Sequence, residues 1–353
     1  MKILQVTPRY APRTGGVEMQ LQAISERLVN RGHDVTVLTA DAGDDVPRSE
    51  TRNGVTVHRH RSLSPGGAFH VAPGIAPAVR RAGADVVHAH NVHSLPLIFA
   101  ALGQGGSRFV ATAYYHGTSA DGLRSVLWNG YRPVARAALR RADTVSAVSE
   151  WERRHVADDF GVDAEQIPLG VDVDAFASAT PRVRDRPYLL CVARLEEYKG
   201  VQHVVRALPA LEGYDLLVAG DGPYREELER IARENGVADR VTFLGTVGHD
   251  ALPSYYAGAA AHLSLSSFES YGLTVGEALA SGTPCVVRDG TALGEWAAVD
   301  GCVAVMDPSP AAVASAVRDA VDAPVDVAAV PTWDEVVDRH LSVYGGPRRS
   351  DTF

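Results

Sequence analysis

Strand-like apolar runs alternate with helix-patterned segments along this whole 353-residue chain, and the alternation stops once and restarts. Parallel strands need a crossover between neighbours and a helix supplies it, so this pattern belongs to parallel sheets covered by helices. In the first half, strands are expected near 2–7, 34–39, 55–59, 85–89, 108–113 and 144–148. Helical spacing falls near 17–30, 75–82, 94–102, 124–141 and 150–159. A polar Pro/Arg stretch at 180–187 then reads as a linker. Beyond it come strands near 188–193, 215–219, 241–244, 261–265, 284–287 and 302–305, with helices near 200–211, 223–235, 249–257, 273–281 and 309–321. The Pro- and Val-rich segment 324–331 lacks helical character, a last helix is expected over 332–344, and the tail from Gly345 reads as frayed. The expected fold is α/β, two Rossmann-like domains over 1–178 and 179–330 facing each other across a cleft. Such sheets bind ligands at the carboxyl ends of their strands.

Composition narrows the class. Hydrophobic residues make up 46% and charged residues 22%, the balance of a soluble globular enzyme, and no apolar run approaches the ~18–20 residues of a membrane span. The N-terminus enters a strand at once, so no signal peptide is expected and the reading is cytoplasmic. Cys191, Cys285 and Cys302 stand singly in apolar runs, which argues against a disulfide framework or a zinc site. Lys2 and Lys199 are the only lysines among 34 basic residues, so Lys199 is expected to have a function. Residues 1–170 carry a net +3 and residues 171–353 a net −12, so the halves face different partners. Nothing points to nucleic acid.

Glu269 and Glu277 bracket seven residues where a short strand gives way to a helix starting after Gly272. Glu269 falls just ahead of the helix and Glu277 inside it, while N–H groups near Gly272 and Leu273 are expected to face the same space as the first carboxylate. Amides suit phosphate and carboxylates suit hydroxyls, so the segment can hold a phosphorylated, polyhydroxylated ligand. Arg194 and Lys199 follow another strand and suit a diphosphate, or form a solvated loop pair. Gly15-Gly16 opens the first helix, as a phosphate-approaching turn or an ordinary one. Gly220-Asp221-Gly222-Pro223 reads mainly as structure: a turn, a helix cap and a helix-starting proline. His116 ends a strand. His88, His90 and His93 cluster at the end of another, and Asp172-Val-Asp174 has metal-like spacing but reads better as a turn. Arg132, Arg136 and Arg140 form a basic stripe with Trp128 and Tyr131 beside it, along a helix that also carries Arg124 and Leu127. It serves either as a solvated face or as a contact for a lipid phosphate or anionic membrane surface.

In combination and order, these segments resemble the retaining glycosyltransferases of family 4, with the GT-B fold, over almost the whole chain. The resemblance rests on Gly-Gly-Val-Glu (15–18), Arg-Gly-His-Asp-Val-Thr-Val (31–37), Asp-Val-Val-His-Ala-His (85–90), His-Gly (116–117), Val-Ser-Glu (148–150) and Gly-Val-Asp-Val-Asp-Ala-Phe (170–176). It continues through Val-Ala-Arg-Leu-Glu-Glu-Tyr-Lys-Gly (192–200), Ala-Gly-Asp-Gly-Pro (219–223) and Ser-Phe-Glu-Ser-Tyr-Gly-Leu-Thr-Val-Gly-Glu (267–277) with the helix after it. It implies a hexosyltransferase using a UDP- or GDP-linked sugar and a glycan or lipid-linked acceptor, with no cofactor and no metal. Arg194 and Lys199 would bind the diphosphate, Glu277 the ribose and Glu269 the donor sugar. Gly15, Gly16, Gly220, Tyr271, Gly272 and Leu273 would complete the donor site, and His116 would lie beside the reacting sugar. Tyr115, Trp128, Arg132 and Arg136 would serve the acceptor, and the last helix would pack back on the first domain. Retention would follow from same-face attack, with the leaving phosphate helping to deprotonate the acceptor. Gly-Thr-Ala-Leu-Gly-Glu (290–295) departs from the family's glycine-richer loop, which puts Glu295 in doubt. A nucleotide-sugar epimerase of the same fold and a catalytically silent sugar-nucleotide-binding partner are the competing readings.

Overall fold

The computed structural model describes residues 1–353 apart from 14, 44, 64–68, 118–121 and 347–353, and, inside one helix, the side chains of 122–127 and 129. The chain forms two compact units, Met1–Leu169 with the residues from Trp333 onward, and Gly170–Thr332.

Unit 1 runs β1 (Lys2–Thr7), α1 (Gly16–Asn30), β2 (Asp34–Thr39), β3 (Ser49–Arg52), β4 (Val55–Arg59), α2 (Ile75–Ala82), β5 (Val86–His90), α3 (Leu95–Gly103), β6 (Arg108–Thr112), α4 (Gly122–Leu139), β7 (Thr144–Ala147), α5 (Glu150–Phe160) and β8 (Glu165–Gln166). Its sheet has the order β3-β4-β2-β1-β5-β6-β7-β8, parallel except where β3 pairs antiparallel with β4. Alternate residues divide between two cores: Leu4, Val87 and Phe109 enter one, Ile3, Val86 and Val110 the other. Burial on both faces is why β5 and β6 read as apolar runs. β3 and β8 escaped the sequence reading because Ser-Glu-Thr-Arg and Glu-Gln are polar edge segments.

The loop after β1 is held by a buried ion cluster. Arg59 is fully buried, pairs with Asp41 at 3.1 Å and Glu50 at 2.5 Å, and donates to the Ala11 carbonyl at 2.6 Å. Asp41 also accepts the Tyr10 N–H at 3.0 Å. The glycine pair that opens α1 therefore hangs from a fixed strut.

Unit 2 runs α6 (Val173–Ala177), β9 (Tyr188–Val192), α7 (Val201–Ala207), β10 (Asp215–Ala219), α8 (Arg225–Glu234), β11 (Val241–Gly245), α9 (Leu252–Ala257), β12 (Ala261–Ser264), α10 (Leu273–Ala280), β13 (Cys285–Arg288), β14 (Cys302–Val305) and α11 (Pro310–Ala320). The order β11-β10-β9-β12-β13-β14 is wholly parallel. The polar stretch 180–187 lies inside this unit, because α6 packs on α9 and α10. Asp172 caps α6 by accepting the Ala175 N–H at 3.3 Å. Helix α8 begins at Arg225 rather than at 223. Asp221 accepts from its neighbour Gly222 at 2.8 Å, closing the turn instead of capping the helix. The helix expected over 249–257 is a 3-10 turn, His249–Ala251, leading into α9.

The last helix, α12 (Trp333–Gly345), belongs to unit 1. Its Tyr344 hydroxyl meets His88 Nδ1 at 2.8 Å and accepts from Gln5 at 3.3 Å. The row continues from His88 Nε2 to Thr112 at 2.7 Å, and from Gln5 to His90 Nε2 at 2.8 Å. The tail expected to fray lies, from residue 347, outside the described residues.

Candidate active site

In unit 2 the chain goes outward one way from β9 to β10 and β11, and the other way from β12 to β13 and β14. The crevice outside the carboxyl ends of β9 and β12 is thus a topological switch point, where loops diverge and leave room for a ligand. Arg194 and Lys199 follow β9, and Glu269 follows β12. Lys199 Nζ donates to Glu269 Oε2 at 2.8 Å, with about a fifth of the lysine side chain exposed. Burial works against the ammonium charge, but the Glu269 carboxylate outweighs it through charge and hydrogen bond, so the lysine pKa lies above its ordinary value. Arg194 is largely exposed and pairs with Glu196 at 3.1 Å.

The two loops are clamped together at the backbone. Ser267 N–H donates to the Tyr198 carbonyl at 2.8 Å. Gly200, at φ +76°, comes so close that a Cβ would lie 2.2 Å from the Leu265 carbonyl oxygen, which only glycine tolerates. Gly220 donates its N–H to the Gly245 carbonyl at 2.7 Å, fixing the turn after β10.

Helix α10 starts at Leu273 behind Gly272, which has φ +91° and no side-chain cap. The Val275 N–H turns back to the Gly272 carbonyl at 2.9 Å, which leaves the Leu273 and Thr274 N–H groups for an anion. A Cβ at Gly272 would lie 2.4 Å from Leu293 Cδ2. Trp296 donates its indole N–H to the Tyr271 carbonyl at 2.7 Å and packs edge-on against the Tyr271 ring. Sequence reasoning missed Trp296, which lies in the 3-10 segment Ala292–Ala298 together with the exposed Glu295. One turn and more into α10, Glu277 is 4% exposed and accepts from the Tyr256 hydroxyl at 2.9 Å. Burial pushes its carboxyl up to about 7, against the pull of that bond.

Unit 1 has its own switch point between β1 and β5. Gly15 is the N-cap residue of α1, again without a side-chain cap, and Gly16 is the first helical residue. Glu18, nearly buried in that first turn, pairs with Arg9 at 2.9 Å. His116 is exposed beyond β6 and stacks on His93, with ring centroids 4.5 Å apart and planes at 17°. His93 in turn lies on Trp128 at 4.4 Å, and burial drives its pKa down to about 3. Tyr115 is buried, its N–H donated to the fully buried Glu152 and its hydroxyl to Asp159 at 2.5 Å. Burial lifts Glu152 to about 8, although Val148 and Tyr115 N–H groups favour its charge.

The acceptor-side candidates are therefore unlike one another. Tyr115 and Trp128 are interior residues, both packed against His93, and the Tyr115 hydroxyl points to the part-exposed Asp159. Arg132 is tied to the Asp159 carboxylate and to its carbonyl at 2.9 Å. Arg136 is exposed, and the side chains of Arg124 and Leu127 lie outside the described residues. His88 is hydrogen-bonded through both ring nitrogens and His90 points to Gln5, so these two serve packing. Among the described residues, no group of three or more His, Cys, Asp or Glu side chains could hold a metal. The three cysteines are free thiols. No helix among the described residues is long and apolar enough to cross a membrane.

Comparisons with known proteins bear on the family and the fold. The family model described as Glycosyltransferase Family 4 matches residues 14–175, and that described as Glycosyl transferases group 1 matches 172–328. A GDP-mannose-dependent alpha-(1-6)-phosphatidylinositol monomannoside mannosyltransferase from Mycobacterium tuberculosis is 35% identical, over 72% of this chain and 70% of its own. A D-inositol 3-phosphate glycosyltransferase from Acidothermus cellulolyticus is 31% identical, over 77% and 70%. Among solved structures, sucrose-phosphate synthase from Thermosynechococcus elongatus has a TM-score of 0.77 at 19% identity, covering 98% of both chains. An Anabaena protein in complex with UDP and glucose has 0.74 at 17%, covering 98% of this chain and all of its own.

Proposed function

The chain belongs to the family 4 glycosyltransferases and has the GT-B fold, and on that premise we propose that it moves a hexose, with retention, from a nucleoside diphosphate to a hydroxyl of a lipid-linked or glycan acceptor. The observation that carries the donor side is the Lys199–Glu269 pair, set at the β9/β12 switch point beside the uncapped start of α10. A cation, a carboxylate and free amides in one crevice match a diphosphate joined to a sugar. In our assignment Lys199 and Arg194 hold the diphosphate, α10 amides from Gly272 and Leu273 add to it, Glu269 takes sugar hydroxyls and Glu277 takes the ribose. Tyr271 and Gly220 shape the walls. In unit 1 we assign Gly15 and Gly16 to phosphate approach and the exposed His116 to the reacting hydroxyl.

The proposed step breaks the bond between the sugar C1 and the β-phosphate oxygen, which keeps the electron pair. In this assignment the two cations and the amide dipoles stabilise that charge as it grows, so it needs no metal. The acceptor oxygen bonds to C1 from the same face, and its proton passes to the departing phosphate oxygen.

The mannosyltransferase relative makes GDP-mannose the first donor to try. A thermal-shift screen of GDP, UDP and ADP, then mass spectrometry of products with the matching sugar nucleotides, is expected to give one preferred nucleotide and one hexose added. No transfer from any donor would overturn the reading. Among the described side chains of α4, Arg136 is the exposed cation, and we assign it to an anionic lipid surface. Cosedimentation with anionic vesicles at low salt is the expected result, and the lipid contact falls if the protein stays in the supernatant.

A further inference from the structure

Tyr256 is fully buried in α9, and its hydroxyl reaches Glu277 Oε2 at 2.9 Å. Its ring meets His262 edge-on at 5.3 Å and leans on Phe176 at 5.8 Å, while its carbonyl accepts from Thr283 at 2.6 Å. The hydroxyl has little freedom to point elsewhere. A buried phenol needs an acceptor and a buried carboxylate needs donors, and this single bond serves both. Among the described residues, Oε1 of Glu277 has no hydrogen-bond partner. One oxygen is thus fastened and the other is left for a ligand.

We propose that Tyr256 is the positioning residue that aims Glu277 at the nucleotide's ribose and sets how strongly the site prefers a ribonucleotide to its 2′-deoxy form. The proposal rests on the assignment of Glu277 to the ribose. A carboxylate accepts sugar hydroxyls in its ionised state, and the Tyr256 bond favours that state against burial. The groups around the pair are neutral near pH 7. Burial pushes Cys191 on β9 up to about 12, raises Cys285 on β13 well above the usual thiol range, and lowers His262 on β12 to about 4. Glu277, at about 7, is the member of the cluster that titrates there. Its charge, and with it the preference for ribose, grows as the pH rises through neutrality. Without the tyrosine hydroxyl, the same growth would need a higher pH.

The test is calorimetric titration of the full chain with GDP and with 2′-deoxy-GDP, from about pH 5.5 to 8.5, a window around the perturbed carboxylate. The ratio of the two affinities cancels the titration of the terminal phosphate. In the unsubstituted protein the ratio should rise with pH. Tyr256→Phe should displace the curve to higher pH and lower the ratio at pH 7 by about three- to tenfold, the size of one lost hydrogen bond. Glu277→Gln should give a low, flat ratio. A Tyr256→Phe curve that superimposes on the unsubstituted one overturns the proposal, and a lower melting temperature with an unmoved curve does so too, leaving Tyr256 a packing role. A ratio of one at every pH in the unsubstituted protein overturns the Glu277 assignment itself.

Discussion

Lys199→Ala is expected to lower sugar transfer at least ten- to a hundredfold in a protein that remains folded. A hydrogen bond to a charged group contributes roughly 1.5–3 kcal/mol, and more where the partner gains charge in the transition state, as the leaving diphosphate does. The structure adds a second loss. Lys199 is also the partner of Glu269 at 2.8 Å, so its removal leaves that part-buried carboxylate facing an incoming diphosphate without a counter-ion. The two side chains should be strongly non-additive: Lys199→Ala combined with Glu269→Gln should cost less than the sum of the single changes. Steady-state kinetics on the three variants reads this directly. Unchanged transfer in Lys199→Ala would remove the phosphate assignment.

Arg59→Ala is the change expected to harm stability most. Its guanidinium is fully buried between Asp41 and Glu50, and breaking a buried pair by removing one partner costs about 3–5 kcal/mol. Two carboxylates are left without their cation, and the Ala11 carbonyl loses its donor. For a unit of this size the loss corresponds to a fall in melting temperature of roughly 10 °C. Thermal unfolding followed by circular dichroism should show it, with transfer falling as well because the Gly15–Gly16 loop loses its strut. Adding Asp41→Asn and Glu50→Gln should recover part of the loss, since the cost lies mostly in stranded charge. A single variant that melts with the unsubstituted protein would refute the strut.

Much of the fold could be read from local pattern. Buried parallel strands such as β5 and β9 are apolar runs, and α10 is bounded by Gly272 and Gly282 where the spacing places it. Polar edge strands carry no such signal, so β3 and β8 went unread. The candidate site was legible in its residue types but not in its pairings. Nothing in the sequence says that Lys199 reaches Glu269, seventy positions away, or that Arg132 closes on Asp159 instead of facing solvent. Tandem tyrosines at 255 and 256 look alike in sequence. Only the phase of α9 against α10 sends Tyr256 inward to Glu277. Long-range contacts of this kind follow from topology, which local pattern fixes only in outline.

The placement of α12 bears on how the protein is made. The strands of unit 1 leave the ribosome before unit 2, yet Tyr344, which joins Gln5 and His88, arrives only after all of unit 2 has been synthesised. Until then the polar row through Gln5, His88 and Thr112 lacks its tyrosine. Unit 2 is continuous in sequence, with the Val171 N–H meeting the Pro331 carbonyl at 3.0 Å, so its ends are tied to each other. During synthesis unit 2 can close first, and unit 1, begun before it, is completed after it. A nascent chain stalled before Trp333 should therefore hold one finished unit and one waiting for its final helix.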